Sequence, residues 1–233
     1  MSVQAPPDHL RNPTGAAICL SFTAGLVEMA GLLGLHGFLP VHIVVDAPLA
    51  LLAVGRAGEP WIARALAIPV FIIVTTLLAA TMRRSKASLR LITGYLLFFQ
   101  CLMLLAAMAL GVILGPFASV DQPAAVAAAL VLVSAMAFQT LGASTLWRDG
   151  AGALILDWTG LVARLGGGDG RPLGIIPRLV GLAAFILGAA TEVTLWPVAG
   201  FWSLALAAAM SFVALLNFVP FDLSRAAEDF RRR

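Results

Sequence analysis

Four acidic residues of this chain lie within or beside long apolar segments: Glu28, Asp46, Asp157 and Glu192. A carboxylate at the centre of a membrane-spanning helix costs about 2.5–3.5 kcal/mol on insertion scales, so such a group usually faces a partner or a wet cavity. The chemistry open to these residues is to line a polar pathway or to titrate during transport. Whether they do so depends on the segments that hold them.

The composition is that of a membrane protein. Of 233 residues, 61% are hydrophobic and 12% are charged, and the mean hydropathy is +0.97. Apolar runs of about 20 residues recur, which is enough to cross a hydrocarbon core of roughly 30 Å. The net charge of +3 does not indicate nucleic-acid binding, because the basic residues lie in short loops and at the C-terminus. We therefore expect an integral α-helical membrane protein whose partner is the lipid bilayer, with no nucleic acid.

The apolar pattern predicts six full spans and two short pieces. The spans cover about 15–35, 61–82, 91–114, 124–146, 173–193 and 198–219, and the short pieces cover about 39–55 and 152–165. Residues 1–13 read as a cytosolic tail and 221–233 as a basic amphipathic tail. Each short piece carries one aspartate, Asp46 or Asp157, and is marginal in length for a crossing.

Loop charge favours six crossings over eight. Lys and Arg are enriched on the cytosolic side of a membrane. With six spans and a cytosolic N-terminus, thirteen of the fifteen basic residues are cytosolic and only Arg56 and Arg64 are outside. Eight spans would place five outside, including the dense cluster at 83–90. The prediction is a bacterial inner-membrane protein with both termini in the cytosol.

The second half of the chain repeats the first. Five residues recur when each number is raised by 111, so that Ala24, Glu28, Gly31, Asp46 and Gly55 become Ala135, Gln139, Gly142, Asp157 and Gly166. Each half contributes three crossings, so the halves, 14–116 and 123–220, enter the membrane with opposite polarity. This predicts an inverted repeat, in which sites lie near the midplane at the repeat interface. The short pieces would then be re-entrant or discontinuous helices.

The candidate binding residues are Glu28, Asp46, Gln139 and Asp157. Glu28 either lines a polar pathway or makes a structural hydrogen bond to Gln139 or a backbone group. Asp46 and Asp157 either cap helices that start inside the membrane or lie beside helix N-termini that bind a solute. We expect Glu192, at the outer end of its span, to reach water.

Other chemistry has weaker support. His36 and His42 are six residues apart, a spacing that does not place them on one helix face for a metal, so interfacial polarity is the favoured interpretation. No nucleotide-binding loop, zinc-protease motif or intramembrane Ser/Lys or Ser/His arrangement occurs in the sequence. We therefore expect no enzyme activity, no catalytic residue, no metal and no cofactor.

With these residues in view, the chain resembles the YoaK-like bacterial membrane proteins, a family of unknown function. The likeness covers roughly 16–216 and rests on short motifs: Gly25-Leu26-Val27-Glu28-Met29, His42-Ile43-Val44-Val45-Asp46, Ala137-Phe138-Gln139-Thr140, Ile155-Leu156-Asp157, Pro69 and Gly200-Phe201-Trp202. The family has a Thr-Gly-Asn element in each half. In this chain Asp46 and Asp157 stand in place of the asparagine, and the preceding Thr-Gly is missing in both halves. The resemblance implies a divergent bacterial inner-membrane member and supplies no activity.

Two functions remain open from the sequence. The first is a small-solute transporter or channel-like protein with a midplane polar site, for a solute that the sequence does not name. The second is a membrane scaffold or accessory subunit whose buried acids hold helices together. A chain of this size is also compatible with a homodimer.

Overall fold

The computed structural model describes residues 13–54, 60–85, 89–147 and 175–218. Seven α-helices account for most of them: α1 (Pro13–Gly34), α2 (Ile43–Val54), α3 (Ile62–Arg84), α4 (Leu89–Leu114), α5 (Pro123–Trp147), α6 (Ile175–Ala199) and α7 (Leu204–Phe218). A single 3-10 turn, Gly200–Ser203, joins α6 to α7. No strand occurs in these ranges, which confirms the all-α class for this part of the chain.

Five stretches within the described residues are long and apolar enough to cross a membrane: Thr14–Gly34, Ile62–Arg84, Leu91–Leu114, Pro123–Ala143 and Leu179–Asn217. The last has 39 residues and contains the 3-10 turn. Large apolar side chains of α3, such as Ile72, Ile73 and Leu77, are exposed on the bundle surface. An apolar exterior suits contact with lipid, and the helices fit an integral membrane protein.

Helix α1 packs most closely against α6. An added Cβ at Gly25 would lie 2.0 Å from the Phe185 carbonyl oxygen, and one at Gly188 would lie 2.1 Å from the Phe22 carbonyl oxygen. Each helix therefore offers a glycine to the backbone of the other, as small residues do where membrane helices approach closely. Further along, Gly34 meets Trp196, so α1 and α6 run in the same direction.

Helix α7 packs on α1 in the opposite direction. Near the end of α1, Gly34 also approaches Phe201, which precedes α7. The Thr23 hydroxyl donates a hydrogen bond to the Ala207 carbonyl at 3.5 Å, and Ala17 shares an apolar cluster with Ala214. Helices α6 and α7 thus run in opposite directions, with α1 between them.

Helix α5 packs against both α3 and α4, as α1 packs against both α6 and α7. Asp121, two residues before α5, accepts hydrogen bonds from the backbone N–H groups of Trp61 at 2.7 Å and Ala63 at 3.1 Å. The N-terminal ends of α3 and α5 are therefore side by side. Helix α4 contacts both α5 and α7, and Gly111 of α4 lies against the Phe201 ring.

Two boundaries bear on the sequence predictions. The short piece at 39–55 forms the 12-residue helix α2, whereas the piece at 152–165 lies outside the described residues. The predicted break between the spans 173–193 and 198–219 is misplaced, because α6 continues to Ala199 with Pro197 inside it. Proline removes one backbone hydrogen bond from a helix. Because Pro197 lies in the final turn of α6, this lost bond does not end the helix earlier. The chain reverses at Gly200, whose φ of 51° suits glycine.

The Gly188 contact predicts a specific loss of stability. In Gly188→Ala the new methyl group meets the α1 backbone, which a rotamer change cannot relieve, so we expect about 1–3 kcal/mol of destabilisation, as for overpacked cores. Thermal unfolding in detergent measures it. Ala190→Val, on the exposed face of the same helix, is the matched control. Equal melting temperatures for the two variants would contradict the close α1–α6 contact.

Candidate functional site

The segment after α1 folds back along that helix. His36 and Gly37 have positive φ values of 52° and 81°, and together they reverse the chain. An added Cβ at Gly31 would lie 2.5 Å from Pro40 Cδ, so the returning segment rests directly on the glycine. The fold-back brings the segment just before α2 to the level of Glu28, six residues before the end of α1.

Glu28 is bound by this returning segment. The backbone N–H of Val41 donates to Glu28 Oε2 at 2.8 Å, and His42 Nδ1 lies 2.5 Å from Glu28 Oε1. Both carboxyl oxygens therefore have a partner. The Glu28 residue is 7% exposed, and the side chain of His42 is 22% exposed. The pair is thus an acid and a base in direct contact, with the base closer to the surface.

A second ionic pair lies beside the first. Asp46, in the first turn of α2, is fully buried and accepts a hydrogen bond from the Leu39 N–H at 3.1 Å. Its other oxygen, Oδ1, lies 3.5 Å from Arg64 Nε. Neither of these two facing atoms has a hydrogen-bond partner, so their interaction is mainly electrostatic.

Arg64 also fixes the turn that ends α1. Its guanidinium donates to the carbonyl of His36 at 3.2 Å and to that of Gly37 at 3.4 Å. One cation thereby connects α3, α2 and the left-handed turn. We call Glu28, His42, Asp46 and Arg64 the ionic cluster.

The surroundings of the ionic cluster shift its proton affinities. The hydrogen bond to Glu28 raises the pKa of His42, against an opposing effect of burial. Burial raises the pKa of Asp46 to about 6, although the Leu39 hydrogen bond and Arg64 act in the opposite direction. From α6, the Phe185 ring packs edge-on against the His42 ring, with 5.8 Å between the centroids. An apolar lid on one side of an imidazole limits its access to water.

Gln139 belongs to a different polar group, which we call the amide cluster: Gln100, Gln139 and Ser211. Gln100 Nε2 donates to Gln139 Oε1 at 2.6 Å and to Ser211 Oγ at 3.1 Å, and Gln139 Nε2 donates to the Leu20 carbonyl at 3.0 Å. These bonds join α1, α4, α5 and α7 at one point. Gln100 Oε1 is buried without a hydrogen-bond partner.

The sequence-predicted site residues are therefore divided. Glu28 and Asp46 lie in one cluster, as expected for a shared site. Gln139 meets α1 at Leu20, eight residues from Glu28, or about 12 Å along the helix axis. Asp157 lies outside the described residues. The Glu28 bond to a backbone group is confirmed, whereas the alternative bond to Gln139 is not formed.

Two expectations about acidic residues are corrected. Asp46 does not cap α2, because the helix begins three residues earlier at Ile43 and the carboxyl binds the preceding loop at Leu39. Glu192 does not reach water: it is fully buried, and the Ser203 hydroxyl donates a hydrogen bond to it. The physical reason is that α6 extends beyond Glu192 and the 3-10 turn then folds back to cover it.

His42 and Arg64 are the functional candidates that sequence reasoning missed. Neither has a periodic relation to Glu28 or Asp46, because a non-helical fold-back brings His42 to Glu28 and the packing of α3 on α2 brings Arg64 to Asp46. The available signal was energetic. An acid at this depth requires a donor or a cation, and His36, His42, Arg56 and Arg64 were the histidine and arginine side chains outside the cytosolic segments of the predicted topology.

A separate cavity opens at the same end of the bundle. It has a volume of about 420 Å³ and is lined by His36, Trp196, Phe201 and Trp202 among others, with no member of the ionic cluster in its wall. Among the described residues, no three His, Cys, Asp or Glu side chains are grouped closely enough to hold a metal ion.

Comparison with known proteins adds no assignment: no protein-family model, curated protein or solved structure matches this chain. The resemblance to YoaK-like proteins therefore stays a prediction from its short motifs.

The amide cluster predicts the effect of removing Gln139. Gln139→Leu removes one of the two acceptors of the buried Gln100 amide nitrogen and the side-chain donor to the Leu20 carbonyl, and an unsatisfied buried polar group costs about 1–3 kcal/mol. We expect a correspondingly lower unfolding free energy, measured by titration with a denaturing detergent. Thr140→Val is the control, because the Thr140 hydroxyl bonds only within its own helix, to Met136. Gln139→Leu as stable as wild type would show that these hydrogen bonds are absent in the membrane.

Proposed function

We propose that this protein transports a small solute or ion across the membrane, with the ionic cluster as its site. The observation that carries the proposal is the clustering of four ionisable side chains at the end of a buried apolar helix. Ionisable groups at membrane depth are costly, and they mark ion and substrate pathways more often than they serve packing. The candidate residues are Glu28, His42, Asp46 and Arg64, with Asp157 as the expected second-half counterpart of Asp46. Gln139 lies apart from this site, in the amide cluster.

The proposed architecture is two inverted repeats of three spans each, 14–116 and 123–220. The helix contacts support it. Helix α1 packs on α6 and α7, and the equivalent helix of the second half, α5, packs on the equivalents α3 and α4. Gln100 of α4 donates a hydrogen bond to Ser211 of α7, which is the equivalent helix of the second half. Contact between equivalent helices is what a twofold axis between the repeats requires.

The proposed orientation places the ionic cluster in the outer half of the membrane. Arg83 and Arg84 lie in the last turn of α3, about 30 Å along the helix from Arg64, and basic residues favour the cytosolic side. Both termini would then be cytosolic, in a bacterial inner membrane. The amide cluster, about 12 Å further along α1 from Glu28, would lie on the cytosolic side of the ionic cluster.

A second candidate, a non-transporting scaffold or accessory subunit, is favoured by one observation. Both acids accept backbone hydrogen bonds from the fold-back segment, at Val41 and Leu39. Carboxylates that only fasten a loop to a helix would explain these bonds without transport.

Charge-removing variants separate the two functions. Glu28→Gln and Asp46→Asn keep an oxygen that can accept the backbone hydrogen bond but lose the charge. For a transporter we expect solute entry into proteoliposomes to fall to the rate of protein-free vesicles, with little change in melting temperature. The measurement is stopped-flow light scattering with a panel of small neutral and charged solutes.

Glu192→Gln is the matched control, because it makes the same chemical change at a buried acid of α6 outside the ionic cluster. Retained solute entry together with a lower melting temperature in Glu28→Gln and Asp46→Asn would contradict transport and support the scaffold.

A further inference from the structure

Within the part of the chain that the structure describes, the formal charges of the ionic cluster do not balance without one additional positive charge. Glu28 and Asp46 supply two negative charges, and Arg64 supplies one positive charge. With His42 neutral, the cluster carries a net charge of −1 in a largely buried site. Uptake of one proton, or binding of one monovalent cation, removes that charge. An uncompensated charge in a medium of low dielectric constant is strongly unfavourable.

The geometry leaves little room for a metal cation. Glu28 Oε2 is bound by the Val41 N–H and Oε1 by His42 Nδ1, while Asp46 Oδ2 is bound by the Leu39 N–H. The fourth oxygen, Asp46 Oδ1, faces the Arg64 guanidinium. A hard metal cation needs several oxygen ligands directed at it, and here the carboxyl oxygens face N–H groups or a cation.

We propose that the ion handled by this protein is the proton, and that Glu28 and His42 bind it as a pair. The proposal rests on the transport function above and names its ion. A proton taken up by the His42 ring gives an imidazolium. Its Nδ1–H proton then passes across the 2.5 Å contact to Glu28 Oε1, leaving a neutral imidazole and a neutral carboxylic acid. One proton has been taken up, and no bond other than N–H and O–H has changed.

The positions of the two residues suit this order. The His42 side chain is 22% exposed and the Glu28 side chain 9%, so the base is the member closer to water. Among the described residues, the groups facing the pair are Asp46 from α2, Arg64 from α3 and the uncharged Phe185 from α6. The negative charge of Asp46 favours protonation of the pair, and Arg64 opposes it. The hydrogen bond to Glu28 raises the pKa of His42, so the pair keeps its proton to a higher pH than an isolated histidine.

The test is infrared difference spectroscopy on the full-length protein in lipid, titrated across about pH 5 to 8, where histidine changes charge. We expect a protonated-carboxyl band that grows as the pH falls. The His42-dependent component of this band is lost in Glu28→Gln, and its midpoint shifts in His42→Gln, which keeps the carboxyl group. Asp46→Asn, which removes a carboxyl group whose pKa burial raises to about 6, and Glu192→Gln serve as the controls, because each removes one other carboxyl contribution and leaves the His42-dependent component. Replacing sodium by a large organic cation should leave the band unchanged.

Three results would overturn the proposal: the same pH-dependent band in Glu28→Gln, a midpoint that His42→Gln does not move, or a band that sodium abolishes at constant pH. The first two would assign no proton to the pair, and the third would assign it to a metal cation. If solute enters proteoliposomes but the band is absent, the transport proposal stands and the proton proposal fails. If the band is present but no solute enters, the pair binds a proton and the transport proposal fails.

Discussion

Burial of the Glu28 carboxyl group is the constraint on which the arrangement of this end of the bundle depends. A carboxylate six residues inside an apolar helix must receive hydrogen bonds from elsewhere, because the N–H groups of its own helix are already bonded. The fold-back segment supplies them from Val41 and His42. Gly31 makes the fold-back possible, since any side chain there would collide with Pro40. The start of α2 and the contact between Asp46 and Arg64 follow from that path.

Close helix packing then sets the position of the amide cluster. Helix α1 lies between α6 and α7, and the glycines at positions 25 and 188 let two backbones touch. In an apolar solvent such packing and interhelical hydrogen bonds replace the hydrophobic effect as the source of association. The Gln100, Gln139 and Ser211 side chains satisfy one another almost completely, and their bonds reach four helices. Two polar groups of different kinds thus lie along one helix, one ionisable and one neutral.

Much of the fold is readable from the sequence because the bilayer restricts what a chain can do. An apolar run of about 20 residues has few alternatives to a helix, and the predicted spans match α1, α3, α4 and α5 closely and overlap α6 and α7. The predicted span that overlaps α6 ended at 193, before Pro197, whereas the helix continues to Ala199 and the positive φ of Gly200 reverses the chain. The site was only half readable. Glu28 and Asp46 stand out because an acid in an apolar segment is costly. His42 reaches Glu28 through a non-helical segment and Arg64 reaches Asp46 from a neighbouring helix, and no periodicity encodes either contact. Glu192 was misjudged for a similar reason, since the turn that buries it comes after its own helix.

The contact between His42 and Glu28 can be measured directly in a lipid bilayer. Solid-state NMR of protein labelled with nitrogen-15 histidine and carbon-13 glutamate reports through-space transfer between Nδ1 of an imidazole and a carboxyl carbon, and His42→Gln assigns the signal. We expect one cross-peak between His42 Nδ1 and the Glu28 carboxyl carbon, with a nitrogen shift typical of a strong hydrogen bond. A His42 ring that shows no transfer to any carboxyl carbon and exchanges freely with water would contradict the account.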